Sequence, residues 1–232
     1  MILITGDCHG SMDIDKIHNL DDSNMTADDY VIVCGDMGII WNYPENKEYE
    51  NDIILLDWWN EKKFTTLFID GNHENHDVLS SYDVTNFLGG KVHKLSDKVY
   101  HLMRGEVYDI NGKKFFAFGG ASSVDKKSDK ESELWWYEEL PNICELENGL
   151  INLKKNNFKV DYVITHAGPI DIVNNLFSDK SYRVSSDILV EYLQDISRKI
   201  DFQIWYFGHY HFDIESIDGK YVCLYNNIID LK

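Results

Sequence analysis

The sequence predicts an α/β fold built on two sheets, and three observations carry that prediction. Apolar strand-like runs alternate with amphipathic stretches through roughly residue 82, the βαβαβα signature of a helix-covered sheet. From residue 91 the pattern shortens to closely spaced β-rich segments, which predicts a second sheet beginning there. One local device, an apolar strand followed by glycine and then a residue able to ligate a metal, occurs five times. No solenoid repeat, low-complexity tract or linker interrupts the pattern, so a single domain over residues 1–232 is expected.

The opening stretch MILITGDCHG reads as a buried strand that stops at Gly6 and throws Asp7 and His9 onto a turn. A carboxylate oxygen and an imidazole nitrogen two residues apart suit a divalent ion such as Zn, Mn or Fe. Alone, the pair is better read as a turn aspartate and a surface histidine; its recurrence decides. SMDIDKIHNL spaces Met12, Ile14, Ile17 and Leu20 as a short amphipathic helix, and DDSNMTADD is polar loop. YVIVCGDMG repeats the device and delivers Asp36. Residues 46–63 read as a helix turning Ile54, Leu55 and Trp58 inward. TTLFIDGNHEN is a third strand ending in Gly71, Asn72 and His73, with HDVLSSY opening the next helix.

KVHKL, KVYHLM, EVYDI and KKFFAFGG are short strands, and Asn111-Gly112 marks a tight hairpin. Residues 121–158 are less regular, with a charged helix-like stretch and the pair Trp135 and Trp136. VDYVITHAGP returns to the device at His166, and Gly168-Pro169 stops it. A helix spans Asp187 to Lys199, QIWYFGHYH delivers His209 and His211, and KYVCLY closes a hairpin after Asp218-Gly219.

Five strand ends thus supply Asp7, His9, Asp36, Asn72, His166, His209 and His211. On one edge of a fold, so many O and N donors exceed one tetrahedral ion. They suit two ions about 3.5–4 Å apart, with the Asp36 carboxylate as the natural bridge. Such a site generates hydroxide near neutral pH and stabilises both oxygens of an in-line phosphoryl displacement. Two aspartates against two dications leave the set net positive, so it attracts phosphate in a chain of formal charge −18. That acidity argues against non-specific nucleic-acid binding and against an anionic membrane surface. The four cysteines show no CxxC spacing, Met1 opens directly on the first strand, and no apolar run reaches membrane-spanning length. A cytoplasmic protein with reduced thiols is the expectation.

GDCHG, GDMG, GNHE, the histidine of THAG and GHYH, in that order from Gly6 to His211, resemble the calcineurin-like metallophosphoesterase superfamily. The likeness is to its bacterial and phage-type members, not to the protein serine/threonine phosphatase branch. The resemblance implies a four-layer αββα sandwich, two mixed sheets back to back flanked by helices. It implies one ion on Asp7, His9, Asp36 and His211 and a second on Asp36, Asn72, His166 and His209, drawn from Mn, Fe, Zn, Co or Ni. His73 would contact the phosphate and protonate the leaving oxygen. The expected activity is hydrolysis of a phosphomonoester or phosphodiester by in-line attack of a metal-bridging hydroxide. Alternatives are a phosphodiesterase for cyclic nucleotides, dinucleotides or RNA ends, and a non-catalytic metal-binding scaffold.

The second motif departs from the protein phosphatases: GDMGIIW has Ile39 and Ile40 where that branch carries Asp and Arg. A phosphate clamp must come from elsewhere, and of Arg104, Arg183 and Arg198 the expectation falls on Arg104 in HLMRGEVY. Glu74 stands beside His73 as a substitute orienting carboxylate, and Ser122 or Asp125 would border the pocket. His18, His76, His93 and His101 belong to no motif and are expected in ordinary surface or half-buried roles. Trp135 and Trp136 could stack a nucleobase, with packing against the sheet the expected role of at least one.

Overall fold

A computed structural model describes residues 1–123, 136–178, 186–216 and 218–231. Its first half runs β1 (Ile2–Thr5), α1 (Asp15–His18), β2 (Tyr30–Val33), α2 (Tyr49–Asn60), β3 (Thr65–Phe68) and α3 (His76–Ser80). Five short strands follow: β4 (Val84–Phe87), β5 (Gly90–Lys94), β6 (Val99–Leu102), β7 (Glu106–Ile110) and β8 (Lys113–Phe118). The rest is α4 (Ile143–Lys155), β9 (Tyr162–Thr165), α5 (Ile170–Leu176), α6 (Ile188–Ser197) and β10 (Ile204–Phe207). β11 (Ile214–Glu215), β12 (Tyr221–Cys223) and β13 (Ile229–Asp230) complete it.

The strands form a seven-stranded sheet, β13-β1-β2-β3-β6-β5-β4, and a six-stranded one, β11-β12-β10-β9-β8-β7. Each is parallel at its centre and antiparallel at its edges. Period-two alternation sorts the side chains of every central strand onto two apolar faces. Ile4, Ile32 and Leu67 of the first sheet meet Phe115, Ile164 and Tyr206 of the second in one buried cluster. On the opposite face of the first sheet, Leu3, Val31 and Phe68 pack with Ile17, Leu56 and Leu79 from the helices. On the opposite face of the second, Phe116, Val163 and Trp205 pack with Leu146, Val173 and Leu193. Three apolar interlayers make four layers, helix, sheet, sheet, helix, in agreement with the expected sandwich.

The sheets divide later than the pattern suggested. β5 and β6 complete the first sheet, because β6 pairs in parallel with β3, and the second sheet begins at β7. Asn111 and Gly112 turn the β7–β8 hairpin with φ of 52° and 78°, the doubly left-handed turn expected there. α2 is rotated by one residue from its predicted face: Leu56 and Trp59 are buried, whereas Ile54 is 62% exposed. Asp52 sets that face, since its buried carboxylate accepts the N–H groups of Trp41 and Asn42 at 2.8 and 2.6 Å. β13, absent from the sequence reading, returns to pair antiparallel with β1. Among the described residues no helix is long and apolar enough to cross a membrane.

Candidate metal centre

Parallel neighbours point their C-terminal ends the same way. β1, β2 and β3 in one sheet, with β9 and β10 in the other, therefore deliver their following loops to one edge of the sandwich. There His166 Nδ1 lies 3.7 Å from Asp7 Oδ1, although more than 150 residues separate them in the chain.

The candidate ligands fall into two groups sharing one residue. Asp7, His9, Asp36 and His211 offer donor atoms within 4.8 Å of one another, and so do Asp36, His166 and His209. Asp36 Oδ2 sits 3.2 Å from His9 Nε2 and 3.1 Å from His166 Nε2, while Oδ1 accepts the His73 backbone N–H at 2.8 Å. Asn72 Oδ1 joins the second group 3.3 Å from His166 Nε2, and its amide nitrogen donates to Ser123 Oγ at 3.2 Å. All seven sequence-predicted ligands are thus brought together, His209 also through its N–H to Asp7 Oδ1 at 3.0 Å.

Orientation comes from partners outside the motifs. His166 Nδ1–H donates to the Cys34 carbonyl at 2.8 Å and His9 Nδ1–H to Asp13 Oδ2 at 2.7 Å, so both Nε2 atoms face inward, where a cation would replace their protons. His211, half exposed, stacks on Tyr225 at 4.8 Å with ring planes 8° apart and marks the mouth. Asp13 was legible four residues beyond His9, whereas nothing local to Cys34 or Tyr225 announced them.

The backbone is bent to fit. His9, Asp36, His209 and His211 all have φ between 45° and 68°, a left-handed conformation costly for residues with a Cβ. Two motif glycines give way to ligands from other motifs. A Cβ on Gly35 would lie 2.2 Å from His166 Nδ1, and one on Gly71 2.0 Å from Asp36 Oδ1.

The buried carboxylates favour positive charge here. Burial works against the charged form of His166, yet Asp36 and Asp7 lift its pKa to about 9. Burial likewise opposes ionisation of Asp36, but His166 and His9 hold its carboxyl well below the usual range. Asp7 is raised, by burial first and by Asp36 in addition. Burial, then the neighbouring His166, drives His209 down to about 3. Asp7 Oδ2 is buried without a hydrogen-bond partner and faces His211 Nε2 at 3.4 Å. An orphaned carboxylate oxygen among inward imidazole nitrogens fits divalent cations, which would take the place of the ring protons.

His73 stands at the exposed rim, its ring 5.1 Å from that of His9 and stacked 6.3 Å from Trp41. Its pKa is lowered, by burial first, with the imidazoles of His9 and His166 adding to the effect against Asp36. Glu74 does not orient it. That carboxylate is buried and accepts the Met37 and Gly38 N–H groups at 2.7 and 3.1 Å, tying the third motif to the second.

Arg104 is placed elsewhere than the rim, which corrects its expected role as phosphate clamp. Its guanidinium is buried, with Nε and a terminal nitrogen both on Asp70 Oδ2, the former at 2.9 Å. Glu138 O and Glu145 take further N–H groups at 2.7 and 3.4 Å. A buried carboxylate in a fork of this kind holds the arginine behind the third motif, in a separate cavity of about 250 Å³. His76, His93 and His101 line the same cavity and are buried rather than superficial. Arg198 pairs with Asp171 on the surface at 3.2 Å. Arg183, Asp125 and Trp135 lie outside the described residues, and Trp136 packs edge-on against Trp41 at 5.4 Å.

Among solved structures the chain is similar to a Staphylococcus aureus protein assigned as a 5′-nucleotidase, in complex with α-ketoglutarate. Identity is 16% and the TM-score 0.47, over 96% of this chain and 47% of that one, so the chain spans about half of that protein's length. A phosphopantetheinyl hydrolase from Mycobacterium tuberculosis aligns at 14% identity and TM-score 0.47, over 96% of this chain and 87% of that one. No curated protein matches the sequence. Residues 1–213, which carry every donor of the two groups above, match the family pattern described as calcineurin-like phosphoesterase, and by that match the chain belongs to the calcineurin-like metallophosphoesterases.

Proposed function

We propose that this metallophosphoesterase is dinuclear and hydrolyses a phosphomonoester or phosphodiester at the strand-end site. The observation that carries the reading is Asp36, whose single Oδ2 lies 3.2 and 3.1 Å from imidazole nitrogens of two different donor groups. Asp7, His9, Asp36 and His211 would hold one ion, and Asp36, Asn72, His166 and His209 the other. The N and O donors suit Mn, Fe, Zn, Co or Ni. Bound there, a pair of divalent ions lowers the pKa of water and neutralises charge on phosphoryl oxygens.

The chain's own groups do the rest. Asn72, steadied by Ser123 and His166, holds its amide beside the phosphate-binding face. The Asp36 carboxylate accepts the His73 N–H and so fixes the backbone from which the imidazole reaches the rim. From that rim His73 hands a proton to the departing alkoxide, a transfer whose benefit grows with the basicity of the leaving group.

Asp36→Asn tests the reading. Removing the shared charge is expected to lower metal content by elemental analysis from two equivalents and to cut turnover of p-nitrophenyl phosphate together with it. Two retained equivalents with normal turnover would overturn the assignment. Turnover of bis-p-nitrophenyl phosphate beside the monoester separates diesterase from monoesterase.

A further inference from the structure

We propose that the pocket walled by Trp41 and Met12 receives an aromatic ring on the leaving alcohol, so that the preferred substrates are phosphate esters of aryl-bearing alcohols; this rests on the phosphoesterase reading above. The pocket, of about 200 Å³, is lined by His9, Met12, Gly38, Trp41 and His73. It therefore touches a candidate metal ligand on one side and the proton donor on the other. Whatever His73 protonates is the oxygen of the leaving group, and this space, lined by His73 itself, lies open to the atoms attached to that oxygen.

The walls suit a flat apolar group. Trp41 stacks on His73 with 29° between the rings, and its backbone is fixed before any ligand arrives. Asp52 accepts its backbone N–H at 2.8 Å, Asn75 donates to its carbonyl at 2.9 Å, and Trp136 stands T-shaped against its ring at 5.4 Å. A preorganised indole offers stacking area with little ordering cost. Met12, 78% exposed at the other side, is a large apolar side chain with no packing reason to stand in water. Its flexible thioether adapts to the edge of an aromatic ring. A second groove, of about 640 Å³, shares His9, Met12 and Gly38 with this pocket and reaches Ile54 and Trp58, so bulk beyond the first ring has space nearby. A short polyol would leave the apolar surface of Trp41 and Met12 largely uncovered.

The test uses 2-phenylethyl phosphate and 2-hydroxyethyl phosphate, alkyl esters with leaving groups of similar basicity. With the metal-loaded protein, kcat/KM is expected to be at least tenfold higher for the phenyl ester. Trp41→Ala is expected to erase most of that preference, Trp41→Phe to keep most of it, and Met12→Ala, at a solvent-exposed position, to reduce it without risk to folding. A readout free of turnover is the Met12 methyl resonance, assigned by its loss in Met12→Ala. Benzylphosphonate is expected to shift it by ring current, and methylphosphonate to leave it in place. Equal kcat/KM for the two esters, or a Met12 resonance indifferent to the phenyl ring, would overturn the proposal while leaving phosphoester hydrolysis intact. No turnover of either ester by metal-loaded protein would overturn the proposal together with the reading on which it rests.

Discussion

His73 and Asp36 illustrate how a single residue divides its labour. Asp36 spends one carboxylate oxygen on the His73 backbone and turns the other to two imidazoles. His73 in turn offers only its side chain to the rim, so its removal should spare the donor set. His73→Ala is expected to keep the metal content of the parent protein while slowing hydrolysis, with a larger loss on alkyl than on p-nitrophenyl esters. Steady-state kinetics on both ester types checks it, and equal losses would count against proton donation. The buried histidines behind the site respond to acid instead. Burial, above all, pushes the imidazoles of His76 and His93 down to about 4, with His101 lowering both, Arg104 also lowering His76, and Asp70 opposing. In the unfolded chain each takes a proton near the ordinary histidine value of about 6.5. The advantage of the fold is therefore whole above that value and is lost as pH falls toward 4. Thermal melts across this window should show a falling midpoint, and His93→Asn should flatten part of the fall.

At the level of elements, the motifs were readable because each strand end repeats the same local grammar, and chain order then paired them. The partners that aim the ligands were not, since a carbonyl such as that of Cys34 or a ring such as Tyr225 carries no local mark. Arg104 was misread for a related reason: its role depends on Asp70, a residue on another strand end that sequence proximity does not join to it. The fork between them ties the end of β6 to the segment leading into Asn72 and His73, and Asp70 O also accepts the Gly120 N–H at 2.8 Å. Arg104→Met would leave the buried Asp70 carboxylate without its arginine, facing the His101 imidazole at 3.1 Å, a loss of about 3–5 kcal/mol. Urea denaturation should register it, and Asp70→Asn in the same chain should recover part. The displaced face of α2 has the same origin, for the buried Asp52 is invisible to a pattern that counts only apolar residues.

The whole molecule holds its site between two sheets whose shared apolar face was legible as alternation, while the division of strands between them was not. β5 and β6 looked like the opening of a new sheet by length and composition, and only the pairing of β6 with β3, and of β5 with β6, assigns them to the first. Because the donors come from both sheets, ion binding should report on the entire fold. We propose that the described layers unfold as one unit, and coincident far-ultraviolet dichroism and tryptophan fluorescence melts would bear this out. Chelation should lower the melting midpoint, since ions present at a hundredfold their dissociation constant contribute about 2.7 kcal/mol. Calorimetry with and without EDTA measures it.

The return of β13 to β1 has a consequence for biosynthesis. Thr5 Oγ1 donates to the Asn227 carbonyl at 2.9 Å, and Lys16 Nζ bridges the carbonyls of Gly6, Asp7 and Tyr225. β1 thus waits, one edge bare, for a segment made more than two hundred residues later. A nascent chain halted before residue 225 lacks that clamp on the loop of Asp7, so the full donor set is expected to assemble only once the segment carrying β13 has been made.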